Sequence, residues 1–287
     1  METVTSKDGT TIAYDRLGEG PTLIVIGGAL SYRNFSKMRE IAETVAARGM
    51  TVVSYDRRGR GDSTEATPFA HETAVEREIE DIQALIEAGG GKASLWGWSS
   101  GGALALRAAA ALPELVEKVS VYEVPFIVDP AHKYPTPDYE ERLDELVAAD
   151  DRTGAASHFM RNAIGMPAPF VLAMRLMPMW KALKANAQSL PYDWEALGRH
   201  TMYGEPLGFE EWARVEAPVQ VVFGGKSPRV LQEGSKALAR LLPDAEIEEL
   251  PGVSHNVKVD ALAPVVASYI TGERARAGRS ATTLLTV

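Results

Sequence analysis

The chain predicts an α/β fold, a mostly parallel central sheet flanked by helices, with a helical insertion between two strands. Three observations carry that prediction. Short, predominantly apolar runs, most of them rich in Val and Ile, recur as "PTLIVIGG", "MTVVSYD", "KASLWGW", "KVSVYEV" and "PVQVVFGG". Runs of this length suit strands buried on both faces of a parallel sheet. Segments of helical period separate most of them, and one long stretch contains helices but no strand.

Taken in order, residues 2–17 alternate apolar and polar about "KDGT", whose Asp-Gly pair marks a β-hairpin. Helical periodicity follows over 34–48, 72–88, 101–112 and 230–242, the third ending before Pro113. A final strand, "AEIEEL", and a helix over 260–271 complete the series. From Pro125 to Ala217 the pattern gives only helices broken by prolines, with Met160, Met166, Met174, Met177, Met179 and Met202, six of the nine methionines. Methionine fills irregular apolar space and adapts to varied surfaces. The expected organisation is therefore a core of 1–124 and 218–271, a helical cap over 125–217, and a flexible or loosely docked tail over 272–287 to which no function is assigned.

Composition narrows the function classes. With 45% hydrophobic and 24% charged residues, the 287-residue chain is able to bury a full core. A net charge of −9 argues against a nucleic-acid partner, which needs a clustered positive surface. The absence of cysteine excludes disulfides, a thiolate nucleophile and cysteine-ligated metals. The start "METVTSKDGT" lacks a signal-peptide pattern and no apolar run reaches the ~18–20 residues of a membrane span, so a cytoplasmic location is expected. Whether copies of the chain associate as a homo-oligomer is left open.

Chemistry enters at "GWSSG", Gly97 to Gly101, a G-x-S-x-G element after a predicted strand and before an alanine-rich helix. That context is what a nucleophile elbow requires: a sharp, strained turn that projects a serine hydroxyl above the sheet. The spacing puts Ser99 at the elbow. Ser100, next in sequence, would offer its backbone N–H to an oxyanion and its side chain to the helix cap. A serine needs a base, and of the five histidines only His255, in "PGVSHNV", falls between the last strand and the last helix. His132, His158 and His200 fall in the cap and read as structural or substrate-facing, and His71 precedes a helix.

With these residues in place the chain resembles the α/β-hydrolase superfamily over roughly residues 3–271, on "IVIGGAL", "SYDRRGRGDS", "GWSSGG" and "GVSHN" in that order. The resemblance implies an α/β-hydrolase fold, with the D-x-R-G-x-G-x-S loop at Asp56–Ser63, whose Arg57, Arg58 and Asp62 read as structural or solvated. It implies an oxyanion hole from the N–H groups of Ala29 and Ser100, with Gly28 letting the loop turn inward; the family's usual His in this loop is absent. The family's usual Asp is absent too: the loop after "PVQVVFGG" reads Lys226-Ser227-Pro228 there.

Glu123, at the end of "VSVYEVPF", is the substitute acid, because an ionised carboxylate ending an apolar run needs a partner. Asp129 is the second candidate. The combination of W-G-x-S-S-G, E-x-P at the next strand and a small-residue loop resembles the zearalenone-type lactone hydrolases. One branch of haloalkane dehalogenases also places its acid there, but Ser99 excludes enzymes that need an Asp nucleophile.

The expected activity is hydrolysis of a hydrophobic ester or lactone through Ser99, His255 and Glu123, without metal or organic cofactor. Leu30, Trp98, Met160, Met177 and Trp180 are the candidate pocket residues. Thioester cleavage, carbon–carbon hydrolysis and cofactor-free perhydrolysis use the same triad. A non-catalytic small-ligand binder is the alternative from another class.

Overall fold

The computed structural model describes residues 1–273; the tail beyond, 274–287, lies outside the described residues. Strands β1 (Glu2–Thr5) and β2 (Thr11–Leu17) form the expected antiparallel hairpin. Its turn closes with Ser6 N–H donating to the Thr10 carbonyl at 2.8 Å and Asp8 Oδ1 accepting from Thr10 N–H at 3.0 Å. The winding that follows runs β3 (Thr22–Ile26), α1 (Ser36–Ala46), β4 (Thr51–Tyr55), α2 (His71–Ala88), β5 (Ala93–Trp98), α3 (Ser100–Ala111) and β6 (Val116–Tyr122). Only helices come next: α4 (Tyr139–Ala148), α5 (Arg152–His158), α6 (Ala168–Met174), α7 (Met179–Ala185), α8 (Leu190–Leu197) and α9 (Phe209–Trp212). The sheet resumes with β7 (Val219–Gly224), α10 (Arg229–Leu241), β8 (Ala245–Leu250) and α11 (Val259–Thr271).

All eight strands join one sheet in the order β1-β2-β4-β3-β5-β6-β7-β8, parallel from β4 to β8. Side chains of a strand alternate between faces. In β3, Leu23 and Val25 pack with Met38, Ile41 and Val45 of α1 and Leu262 and Val266 of α11. Ile24 and Ile26 pack to the other side with Ile82 of α2 and Leu104 of α3. Each such buried aliphatic side chain contributes roughly 1.5–3 kcal/mol relative to exposure. Two covered faces explain why these strands read as continuous apolar runs.

The chain passes from β3 outward to β4, then crosses back to β5. A crevice in an open sheet forms at the carboxyl ends of strands where the winding reverses in this way. The segments that end β3, β5 and β6 are Gly27–Leu30, Ser99 and Glu123, so the fold delivers all three to one edge. No helix among the described residues is long and apolar enough to cross a membrane.

Candidate active site

Ser99 has φ 57° and ψ −128°, a conformation that a residue with a side chain rarely adopts. Its N–H donates to the Tyr122 carbonyl at 2.9 Å, and its own carbonyl accepts from Gly102 N–H at 2.9 Å. Gly97 permits the tight return: a Cβ there would lie 2.4 Å from the Gly101 carbonyl oxygen. Among the described residues four non-glycines have positive φ, namely Leu30, Ser99, Glu123 and Asp150. Three of them sit at the sheet edge just described. Strain of this kind costs on the order of 1–3 kcal/mol per residue and concentrates at functional sites.

Glu123 turns sharply after β6 as Ser99 does after β5. Its N–H donates to the Val222 carbonyl at 3.0 Å, and its side chain is fully buried. Oε1 accepts from Gly224 N–H at 2.6 Å, while Oε2 lies 2.7 Å from Nδ1 of His255. The second bond leaves Nε2 as the ring nitrogen open to the cavity. The histidine loop is held from below: Tyr122 Oη donates to the Ser254 carbonyl at 2.7 Å, and Lys226 N–H to the Val253 carbonyl at 2.8 Å. Ser99 and His255 line one cavity, and the His255 ring stands 6.0 Å from that of Trp98. Asp129, by contrast, is exposed and accepts from Ala131 N–H at 2.9 Å, closing a local turn. Ser227 is buried, its N–H donating to the Gly224 carbonyl at 3.0 Å.

Gly28, Ala29 and Ser100 line the same cavity. Gly28 approaches the elbow so closely that a Cβ would fall 2.9 Å from that of Ser99. The brace that replaces the family's usual histidine is made by two arginines. Arg60 Nη1 and Ser31 Oγ donate to the Gly28 carbonyl at 2.8 and 2.6 Å, and Arg57 Nη1 donates to the Gly27 carbonyl at 3.3 Å.

Asp193 of α8 holds both arginines. Its Oδ2 accepts from Arg60 Nη2 at 2.7 Å, and its Oδ1 accepts from Arg57 Nη1 and, at 2.8 Å, from Ser100 Oγ. Glu78 takes the other edge of Arg57 through two bonds of 2.6 Å. Burial alone would raise the Asp193 carboxyl, but the charges of Arg57 and Arg60 outweigh it and hold the group below the usual carboxylate range. This corrects one expectation: the Ser100 side chain does not cap α3 but reaches across to donate to the buried Asp193 carboxylate. Arg57 and Arg58 are buried and paired, Arg58 with Asp81, while Asp62 is largely exposed beside Arg33.

The cavity holds about 470 Å³ and is walled mainly by apolar side chains. A model of the alpha/beta hydrolase family matches residues 23–267. The chain belongs to that family. An alpha/beta hydrolase of known structure from Sphaerobacter thermophilus is 40% identical, with a TM-score of 0.83 over 93% of this chain and 99% of that one. An enol-lactonase from Burkholderia xenovorans shares the fold at 18% identity, with a TM-score of 0.65 over 94% of this chain and 100% of that one. The sn-1-specific diacylglycerol lipase ABHD11 of Danio rerio is 24% identical over 186 residues, 63% of this chain. The match spans 57% of that lipase's length.

Within this family member, Leu30, Trp98 and Met160 reach the cavity. Met177 and Trp180 do not: Met177 lies in the turn before Pro178 and is half exposed, and Trp180 is buried with Arg175 over its ring. Their places are taken by Phe159, Leu183, Trp194 and Met202. Proline-broken helices give no register that says which side faces inward, so the sequence could name the region but not the lining. Asp193 carried a signal that was missed, an acid in the apolar run "SLPYDW" that needs a partner as Glu123 does.

His132 also lines the cavity, whereas His158 is structural, stacked on Tyr139 at 5.0 Å. His200 pairs with Glu211 at 2.8 Å. Among the described residues, His71, Glu140 and Glu195 bring possible metal-ligand atoms within 4.8 Å of one another, but none of the three lines the cavity. They belong to an ion-pair cluster in which His71 meets Glu195 at 2.8 Å and Asp144 at 3.2 Å, and Arg199 meets Glu140.

Proposed function

We propose that this family member is a serine hydrolase of hydrophobic carboxylic esters or lactones. The observation that carries the reading is the Glu123–His255 hydrogen bond of 2.7 Å beside a strained Ser99 in one cavity. Ser99 Oγ attacks the substrate carbonyl carbon while His255 Nε2 takes the hydroxyl proton. Glu123 stabilises the imidazolium and fixes the tautomer through Nδ1–H. The N–H groups of Ala29 and Ser100 hold the tetrahedral oxyanion. Collapse expels the alkoxide, which takes the proton from His255. Water, deprotonated by His255, then attacks the acyl-enzyme, and collapse of that intermediate releases the acid while His255 returns the proton to Ser99 Oγ.

A neutral, bulky and apolar substrate suits a cavity whose buried carboxylate is already bonded to Arg57, Arg60 and Ser100. The enol-lactonase among the structural relatives makes a lactone a reasonable member of that class. In this reading residues 125–217 are a cap over a core of 1–124 and 218–271, and the site motifs resemble those of lactone hydrolases of the zearalenone type.

A panel of aryl esters, lactones and acyl thioesters, assayed with wild type and Ser99→Ala, tests it. The expected outcome is turnover of apolar esters or lactones that falls on the order of 10⁴-fold in Ser99→Ala. Undiminished turnover in that variant would refute the assignment.

A further inference from the structure

Eight large hydrophobic side chains among the described residues are exposed, and six of them crowd into one short stretch: Ile164, Phe170, Leu172, Leu176, Met177 and Met179. Leu176 is 88% exposed and Phe170 66%. Scattered exposed apolar residues are ordinary, but a contiguous set marks an interaction surface. Phe170 to Met179 span α6, the turn after it and the start of α7, and Ile164 lies just before α6.

The same region has a charge anomaly. From Arg152 to Tyr192 the sequence contains no Asp or Glu, although the whole chain carries a net charge of −9. It does contain Arg161, Arg175, Lys181 and Lys184, all exposed and, among the described residues, without an ion-pair partner. An exposed apolar stretch interspersed along the chain with cations that lack ion-pair partners matches an anionic lipid surface: hydrocarbon takes up the apolar side chains while headgroup charges meet the cations. A second copy of the chain suits it less well, because a two-fold contact presents the same patch from both sides and sets the unpaired cations of the copies near one another.

We propose that the 164–184 region is a docking surface for an anionic lipid bilayer. Ile164 belongs both to the patch and to the cavity wall, so a docked molecule turns the mouth of its cavity toward the lipid. An apolar substrate dissolved in the bilayer then enters without crossing water. The patch stands whether or not Ser99 is the nucleophile.

Co-sedimentation with phosphatidylcholine vesicles, with and without phosphatidylglycerol, tests the proposal on the full chain. Binding is expected to the anionic vesicles and to fall as salt is raised. Arg175→Gln with Lys181→Gln lowers the partition coefficient about 25-fold, at about fivefold for each cation lost. Phe170→Ser with Leu176→Ser abolishes binding. Because these four side chains avoid the cavity lining, circular dichroism and melting temperature should match wild type and separate lost binding from lost folding. Two results would overturn the proposal: no affinity for anionic vesicles, or a wild-type dimer in sedimentation equilibrium that Leu176→Ser converts to monomer.

Discussion

Burying a carboxylate is costly unless its partners are fixed. Glu123 and Asp193 are both buried, and what each can do follows from its partners. With Gly224 N–H on one oxygen and His255 on the other, Glu123 is placed for the role proposed above, stabilising the imidazolium of His255. Glu123→Gln keeps the shape and removes that charge; kcat is expected to fall by up to about 10⁴-fold with KM little changed. Asp129→Asn, on an exposed turn, should leave both constants near wild type. Steady-state kinetics on the two variants decides between the carboxylates. Glu123 was legible because it ends an apolar run and because Ser227 cannot serve as the acid. The positive φ shared by Leu30, Ser99 and Glu123 was not legible, since nothing in a Leu or a Glu announces a strained backbone.

Between elements, the same chemistry ties α8 to the loop after β3. Asp193→Ala would leave Arg57 and Arg60 buried with one charge partner fewer, and stability is expected to drop by about 3–5 kcal/mol. Asp193→Asn should retain part of that stability, and chemical denaturation of both variants measures the difference. The partners of Asp193 lie more than ninety residues away along the chain, which is why sequence spacing could not assemble them.

A second link joins α2 to α4 and α8 through His71. Burial would lower its pKa, but the hydrogen bond it donates to Glu195 and the charge of Asp144 outweigh that and raise it. A raised folded-state pKa means the link contributes fully below the unfolded value of about 6.5 and is lost as pH rises through the folded value. Melting temperatures of wild type and His71→Gln should therefore differ most near pH 5.5 and converge toward pH 8.5. A constant difference across that range would assign His71 a packing role instead.

At the scale of the molecule, the fold was readable because burial on both sheet faces writes itself into β3, β5, β6 and β7 as predominantly apolar runs. Ser99, Glu123 and His255 each follow a strand, so a parallel winding carries all three to one end of the sheet, whereas the strand order itself is not written in those runs. The helices between β6 and β7 were legible only as helices: Met160 turned inward and Met177 outward without a difference in local pattern. The proposed hydrolysis requires Ser99 to be an activated nucleophile with Glu123 and His255 behind it. Mass spectrometry after treatment with a fluorophosphonate measures this most directly. A single adduct on the peptide carrying Ser99, absent in Ser99→Ala and formed far more slowly in Glu123→Gln, is the predicted result; no adduct, or one that persists in Ser99→Ala, would contradict it.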